Sequence, residues 1–303
     1  MVTPHYLKRG DTIAIVSTAR KINTSEIQHA ITLLEGWGLD VILGNSINAE
    51  KNQFAGDDFL RATDFQQQLD NPKINAIWCA RGGYGTVRII DKLDFSKFIK
   101  QPKWLIGYSD VTVLHSHIHN LEIETLHATM PIDLSNLPNT LGLSDAALTS
   151  FKNVLFGKDI DYSTLSSNYN KSGTGEGQLV GGNLSMLYSV CGSPSAIKTN
   201  GKILFIEDLD EYVYHIDRML QNLKRNGLFE NLSGLIVGGM TKMHDNSIPF
   251  GKTVEEIILA ICAEYDFPIT FNFPAGHVND NRPLIFGREA HFKVDRNSVT
   301  LSF

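Results

Sequence analysis

The sequence predicts an α/β protein of two domains, the first built on a mostly parallel sheet with flanking helices. Short runs of β-branched and aliphatic residues recur along the chain, as is typical of strands covered on both faces. Between them, apolar residues recur at helical spacing, and such alternation is typical of parallel sheets. One polar segment interrupts the pattern. It divides the chain into an N-terminal domain (1–157), a linker (158–177) and a smaller C-terminal α/β domain (178–303).

The first domain is predicted in order from these runs. A strand over 12–17 leads to a helix capped by Asn23 or Thr24, and a strand over 41–43 leads to a helix from Asp57 to about residue 69. A strand over 74–80 is followed by the glycine-rich loop 81–85 and a helix through Val87, Ile90 and Leu93. The strand at 104–106 comes next, and Ser144 begins a helix ending near 156–157.

The segment 159–177 is rich in Ser, Asn, Gly and Tyr and has almost no aliphatic residues, so we interpret it as a linker or flexible loop. Beyond it we predict strands over 202–206, 234–239 and 269–273. Helices are predicted from the apolar spacing of 216–223 and over 254–263. The alternation of 290–303 around a turn at 295–297 predicts a hairpin.

Composition excludes several classes of function. A net charge of −6 argues against a nucleic acid partner or an anionic membrane surface. No apolar run is long enough to cross a bilayer, and the N-terminal residues lack the apolar core of a signal peptide. Cys79, Cys191 and Cys262 lie far apart, which indicates reduced, buried thiols in a cytoplasmic protein. Cys79 as a nucleophile is the less favoured alternative.

Ser109 lies between an apolar strand and a helix through Val111, Leu114 and Ile118. A serine on such a turn presents its hydroxyl at the end of a sheet, as a nucleophile requires, and the amide of Asp110 could bind an oxyanion. The alternative is a serine that only caps the helix. Loops 18–20, 81–85 and 107–110 all follow strands, and sites in parallel sheets form at that edge.

The loop 81–85 (Arg-Gly-Gly-Tyr-Gly) admits three interpretations. It could bind phosphate, but it lacks the lysine of a P-loop and the spacing of a dinucleotide fingerprint. Its glycines could instead bring the backbone close to a reacting carbonyl and supply an oxyanion donor near Ser109. The third interpretation is a plain tight turn.

Two clusters could bind metal, although neither has a complete ligand pattern. Of His115, His117 and His119, only the first and last share a helical face. The acidic run 207–211 lacks the spaced ligands and glycine of a calcium loop. We therefore expect one of its carboxylates to be functional and the others to be solvated or to cap the next helix.

His277 follows an apolar strand, in a polar loop that contains glycine. A serine hydroxyl needs a neighbouring imidazole to take its proton, and that imidazole needs an acid to hold its tautomer. Ser109, Glu207 and His277 offer these three parts in the chain order Ser, Glu, His. Whether they meet in space is a question for the structure.

Several stretches together resemble the LD-carboxypeptidase family of serine peptidases, which includes muramoyltetrapeptide carboxypeptidases and microcin C self-immunity peptidases. The matching stretches, in the family's order, are 81–85, 107–110, 179–185, 204–208 and 275–277. One departure concerns the pocket wall, because the family often has His-Gly-Pro-Met where this chain has His127-Ala-Thr-Met-Pro131.

The resemblance implies roles for residues of this chain. Ser109 would be the nucleophile, His277 the general base and Glu207 the orienting acid, with oxyanion donors at the amides of Asp110 and of Gly83 or its neighbour. It also implies a cytoplasmic homodimer, without metal or other cofactor, that removes the terminal D-alanine from murein tetrapeptides. The free carboxylate of such a substrate needs a cation or an amide nest. Candidate substrate-binding residues are Arg81, Tyr84 and Arg282.

Three other functions stay open from the sequence. A peptidase acting on microcin C-type aminoacyl nucleotides would use the same residues. A non-catalytic peptide-binding protein would keep the fold without turnover. A metallohydrolase would use the histidines of 115–119.

Overall fold

A computed structural model describes residues 1–135 and 142–303, which form two sheets. The first sheet has the strand order β11-β5-β4-β3-β1-β2. Five of its strands are parallel and come from the N-terminal half: β1 (Thr12–Val16), β2 (Asp40–Leu43), β3 (Ile74–Cys79), β4 (Trp104–Gly107) and β5 (Thr125–His127). The sixth, β11 (Leu284–Phe286), comes from the C-terminal half and pairs antiparallel with β5.

Three helical segments around this sheet begin at predicted caps: the 3-10 turn Thr24–Ile27, which leads into the first helix, and the helices that begin at Asp58 and Asp145. Asn23 forms a capping box with Glu26, and the Asp57 and Ser144 side chains accept hydrogen bonds from the first turns of their helices. The helices of this half are α1 (Gln28–Gly36), α2 (Asp58–Asp70), α3 (Ser96–Lys100), α4 (Thr112–His119) and α5 (Asp145–Leu155).

The helix predicted after the glycine loop is wrong. Two short 3-10 turns, Thr86–Arg88 and Ile90–Lys92, occupy this stretch. A 3-10 turn also brings residues three apart onto one face, so the spacing of Val87, Ile90 and Leu93 does not distinguish it from an α-helix.

The second sheet has the order β10-β9-β8-β7-β12-β13-β6. Its parallel part comprises β7 (Gly173–Asn183), β8 (Ile203–Leu209), β9 (Gly234–Thr241) and β10 (Ile269–Thr270). Its antiparallel part comprises β12 (Glu289–Val294), β13 (Ser298–Ser302) and β6 (Asp161–Leu165), and β12 with β13 is the predicted hairpin. The helices of this half are α6 (Leu184–Ser189), α7 (Val213–Arg225) and α8 (Val254–Ile261).

The predicted linker 158–177 is not free of regular structure, because it contains β6 and the first part of β7. Tyr162 is the buried side chain of β6, while most of the strand's other residues face solvent. In β7, an added side chain at Gly175 would collide with the backbone of Ser233. A strand that has one polar face, or that needs glycine where another backbone lies close, has the composition of a loop. The stretch was therefore predicted to be a linker rather than two strands.

One buried apolar cluster joins the two sheets. It includes Trp78 and Leu126 from the first sheet and Phe205 and Phe292 from the second, and Phe286 on β11 belongs to it as well. The two halves of the chain therefore share a core.

Candidate active site

Ser109 lies on a strained turn at the carboxyl end of β4. Its φ is +61°, a conformation uncommon for a residue with a side chain, and a 3-10 turn over Ser109–Val111 leads into α4. Gly107, just before it, has a φ of +155°, and an added Cβ there would lie 2.9 Å from Val111 Cγ2. The sharp turn from strand to helix places the half-buried serine at the sheet edge.

The glycine loop packs directly against this serine. A side chain at Gly82 would place its Cβ 3.0 Å from Ser109 Oγ and 3.4 Å from the backbone nitrogen of Asp110. Only glycine lets the backbone approach the hydroxyl this closely. The neighbouring Gly83 has a φ of +109°, and a side chain there would collide with Arg20. The backbone of the loop therefore lies beside Ser109.

His277 and Glu207 form a buried pair. The imidazole Nδ1 lies 2.6 Å from Glu207 Oε2, which also accepts a hydrogen bond from the His277 backbone amide at 3.2 Å. Glu207 on β8 is completely buried. Gly276 makes this approach possible, because its φ is +96° and a Cβ there would lie 2.7 Å from the Glu207 side chain.

Two opposing effects act on the pKa of His277. Burial alone would lower it, but the negative charge of Glu207, its hydrogen bond to the imidazole and the nearby charges of Asp133 and Asp208 together outweigh burial. The pKa of His277 is therefore raised above its ordinary value of 6.5. Because Nδ1 is engaged by Glu207, Nε2 is the ring nitrogen left for chemistry.

Ser109 and His277 line the same cavity, of about 240 Å³, between the two sheets. The ring of Tyr108 packs against His277 with 4.8 Å between centroids. Within residues 1–135 and 142–303, no hydrogen bond joins the serine hydroxyl to the imidazole. The cavity is lined by Arg20, Arg81, Gly82, Gly83, Tyr108, Ser109, Met130, Ile132, Asp133, Leu209, Lys242 and His277.

Among the described residues, three basic side chains and one carboxylate line this cavity. Arg20, Arg81 and Lys242 supply the positive charge. Burial lowers the pKa of Arg81, and the neighbouring charge of Arg20 lowers it further. Two guanidinium groups held close together favour binding of an anion such as a carboxylate.

The carboxylate is Asp133, which lines the cavity together with Met130 and Ile132. Its oxygens accept hydrogen bonds from the Tyr108 hydroxyl at 3.1 Å, from Thr129 Oγ1 at 3.0 Å and from the Met130 amide at 2.8 Å. Burial raises the pKa of Asp133. The stretch 127–131, which departs from the family pattern, thus supplies Met130 to the cavity lining. It also supplies the Thr129 hydroxyl and the Met130 amide that hold Asp133 in place.

Comparisons with known proteins identify the family. The model of the LD-carboxypeptidase N-terminal domain matches residues 13–128, and that of the C-terminal domain matches residues 176–292. A probable murein peptide carboxypeptidase of Bacillus subtilis is 34% identical, over 98% of this chain and 93% of the relative. This chain belongs to the LD-carboxypeptidase family.

Two further relatives and one solved structure are also similar to this chain over most of its length. The murein tetrapeptide carboxypeptidase of Pseudomonas aeruginosa is 28% identical, over 94% of each chain. The microcin C7 self-immunity protein MccF of Escherichia coli is 25% identical, over 97% of this chain and 93% of MccF. The crystal structure of muramoyltetrapeptide carboxypeptidase from Oxalobacter formigenes has a TM-score of 0.87 at 27% identity, covering 96% of this chain and 98% of that one.

Two of the predicted substrate-binding residues, Tyr84 and Arg282, are not among the residues that line the cavity. Tyr84 is 44% exposed and packs near the ring of Phe54. Arg282 is paired with Asp280 and lines two other cavities. Their substrate-binding role stays a prediction, and Arg81 is the predicted cation that lines the cavity with Ser109.

The surroundings of His115 and Cys79 bear on the two alternatives, a metal site and a cysteine nucleophile. His115 is buried, with its two ring nitrogens 2.8 Å from Thr125 Oγ1 and the Gly107 carbonyl, and burial lowers its pKa to about 4. In the described part of the chain, no group of three His, Cys, Asp or Glu side chains could hold a metal ion. Burial raises the pKa of the Cys79 thiol to about 12, which leaves it protonated and unreactive.

The remaining carboxylates of the acidic run are engaged within the fold. Asp208 accepts hydrogen bonds from the Asn183 side chain and from Ser185, and burial raises its pKa to about 6. Glu211 contacts His215, and Asp210 contacts His244. Of the predicted acidic cluster, Glu207 is the carboxylate that contacts His277.

Arg20, Lys242 and Asp133 are cavity residues that sequence reasoning did not assign to the site. Arg20 lies in the loop 18–20. The sequence analysis placed this loop at the sheet edge where sites form, but it gave no role to Arg20 itself. Lys242 follows β9, and Asp133 lies in a 3-10 turn over Pro131–Leu134. Nothing in the local sequence separates either from an ordinary surface residue.

Proposed function

We propose that this family member is a serine L,D-carboxypeptidase that removes the terminal D-alanine from murein tetrapeptides. Ser109 is the nucleophile, His277 the general base and Glu207 the orienting acid. The observation that carries the proposal is the buried contact between His277 and Glu207, on a cavity that Ser109 also lines. The names of the full-length relatives in Bacillus subtilis and Pseudomonas aeruginosa support the substrate class.

The reaction follows from the residues in order. His277 Nε2 takes the proton of Ser109 Oγ as the oxygen attacks the carbonyl carbon before the terminal residue. Glu207 holds the proton on Nδ1 and stabilises the imidazolium. The imidazolium then donates its proton to the departing amine, which releases D-alanine and leaves an acyl-enzyme. Water, deprotonated by His277, hydrolyses that ester and restores the serine.

The negative oxygen of the tetrahedral intermediate needs donors that are already in place. The amides of Asp110 and Gly83 are our candidates, since the glycine loop packs against Ser109. Such donors are aimed at charge that develops only in the transition state, so they lower the barrier without tightening ground-state binding.

Arg81, with Arg20 and Lys242, binds the free carboxylate of the terminal residue. These cations restrict cleavage to the last bond, because a peptide that continues further has no carboxylate at that position. A bound carboxylate would relieve the repulsion between Arg81 and Arg20, whose charge, after burial, lowers the pKa of Arg81.

The test is release of D-alanine from a murein tetrapeptide by wild type, by Ser109→Ala and by Ser150→Ala. Ser150 is the matched control, a helical serine whose hydroxyl bonds the Ala147 carbonyl. We expect Ser109→Ala to lose turnover while retaining its melting temperature, and Ser150→Ala to behave as wild type. An active-site phosphonate should label Ser109, as located by mass spectrometry. Peptide binding without release by wild type would instead indicate a binding protein.

A second candidate substrate follows from the relationship to MccF. A peptidase acting on aminoacyl nucleotides would cleave an acyl-sulfamoyl adenylate. Assaying this compound beside a murein tetrapeptide, under the same conditions, separates the two. A higher kcat/KM on the adenylate would replace the murein peptide as the substrate.

The location and assembly of the protein are part of the same proposal. We propose a cytoplasmic homodimer, by resemblance to the family. None of the helices in the described ranges is long and apolar enough to cross a membrane. Light scattering across a concentration series tests the dimer, and cell fractionation tests the location.

A further inference from the structure

The carboxylate of Asp110 has no part in the proposed reaction, which uses only the backbone amide of this residue. The side chain is nevertheless buried, with 1% of the residue exposed. A buried carboxylate is costly unless it is paired or hydrogen-bonded, so its partners indicate what it stabilises. Its Oδ2 accepts a hydrogen bond from the Thr86 backbone amide at 2.9 Å.

Thr86 marks the end of the glycine loop. It begins the 3-10 turn Thr86–Arg88 directly after Gly85, and its hydroxyl lies 2.8 Å from Thr18 Oγ1. Burial raises the pKa of Asp110, and the Thr86 hydroxyl and the Gly85 amide act in the opposite direction. At the other end of the loop, the Ala80 amide bonds the Val16 carbonyl of β1. The sheet therefore holds one end of the loop, and the side chain of Asp110 holds the other.

Between these two anchors, the loop lies against the nucleophile. Gly82 is the residue that approaches Ser109 Oγ and the Asp110 amide. We propose that Asp110 is a positioning residue, whose carboxylate fixes the distance between its own amide and the glycine-loop amides that together bind the oxyanion. The inference rests on the proposed function.

Two features of the chain make this link rigid. The amide and the carboxylate belong to one residue on the strained turn that begins at Ser109, so the nucleophile, one donor and the loop anchor move together. The buried guanidinium of Arg61 supports the loop 18–20 through the Ala19 carbonyl at 3.4 Å, and its charge acts on Asp110. The anchor is thus itself supported from outside the loop.

The experiment measures kcat and KM for D-alanine release by wild type, Asp110→Ala and Asp110→Asn. Removing one oxyanion donor typically lowers kcat by about 10²–10³-fold. We expect Asp110→Ala to lower kcat about 100-fold with KM within about twofold, since only transition-state binding is affected. Asp110→Asn keeps an oxygen acceptor for Thr86 and should recover most of that loss. The affinity for a tetrahedral phosphonate analogue of the peptide should fall in parallel with kcat.

Asp64 provides the matched control. Its carboxylate is also buried and also anchors loop amides, accepting from Asn45 at 2.9 Å and from Ser46 at 2.8 Å. Asp64→Ala should lower the melting temperature as Asp110→Ala does, but keep kcat within about twofold of wild type. Equal losses of kcat in the two alanine variants would make the effect one of general stability and overturn the inference.

Other results separate the inference from the function on which it rests. Active wild type with an unchanged kcat in Asp110→Ala overturns the inference alone. Wild type without D-alanine release overturns the proposed function, and the inference with it. Should Asp110→Ala fail to fold, Thr86→Val removes only the hydroxyl from the anchor. We expect it to lower kcat about tenfold at constant KM, and an unchanged kcat would overturn the inference.

Discussion

The contact between His277 and Glu207 controls the proton state of the proposed base at the scale of single residues. A protonated imidazole cannot take a proton from Ser109, so activity is lost as the pH falls through the pKa of His277. Because Glu207 raises this pKa above 6.5, we expect the acidic limb of kcat/KM to lie above pH 6.5. The pH profile of D-alanine release measures it, and a limb below that value would contradict the assignment.

Replacing Glu207 by Gln separates its two effects. The neutral amide removes the negative charge, so the acidic limb should move to lower pH. It also stops holding the required tautomer, and the plateau rate should fall by about 10³-fold or more. Rate measurements from pH 5 to 9 record both effects. A lower plateau with an unmoved limb would show that Glu207 does not set the pKa of the base.

Arg81 should act on binding more than on turnover. Charge-assisted hydrogen bonds contribute about 1.5–3 kcal/mol, so we expect Arg81→Ala to raise KM at least about tenfold with a smaller change in kcat. Arg282→Ala is the matched control, because Arg282 lines other cavities. Steady-state kinetics on one peptide compare the two. A larger KM for Arg282→Ala would restore the prediction made from the sequence.

The sequence allows a site residue to be predicted when the residues next to it in the chain indicate its role. Ser109 stands on a turn between an apolar strand and a helix, and His277 stands in a glycine-containing loop after a strand. Lys242, which follows β9 of the second sheet, lines the cavity with Ser109 only because the two sheets meet there. That meeting depends on contacts between residues far apart in the chain, which local patterns do not contain.

Gly182 shows how elements constrain the site. It is the penultimate residue of β7, beside α4, with a φ of +137°, and a Cβ there would lie 2.6 Å from Thr112 Cγ2. Gly173 is a matched control in the same strand, with a φ of +154° and its nearest contact at 3.3 Å. We expect Gly182→Ala to lower the free energy of unfolding by about 1–3 kcal/mol more than Gly173→Ala. Urea denaturation of both variants checks this, and equal losses would contradict it.

The prediction of strands and helices succeeded where a single sequence signal, an apolar run or a helix cap, identified the element. Buried strands such as β1 and β9 consist of apolar residues and were found from composition, and α2 and α5 were found from their caps. It failed where the same sequence pattern is compatible with two kinds of structure. The polar face and glycines of β6 and β7 look like a linker, and the apolar spacing after Gly85 fits both a 3-10 turn and an α-helix.

The whole molecule should unfold in one step. The first sheet includes β11 from the C-terminal half, and the two sheets share a buried cluster. Trp37, Trp78 and Trp104, the chain's three tryptophans, report on the first half, and the buried thiol of Cys262 reports on the second. We expect tryptophan fluorescence and Cys262 labelling to change at the same denaturant concentration. Labelling at a clearly lower concentration would indicate halves that unfold separately.

The position of β6 has a consequence for protein synthesis. This strand lies at the edge of its sheet, and its hydrogen-bonding neighbour there is β13, more than 130 residues later in the chain. While the ribosome is still translating the intervening residues, β6 has no partner strand, and β5 likewise awaits β11. Folding intermediates on the ribosome therefore expose two open strand edges, and hydrolytic activity should arise only after translation has passed residue 302.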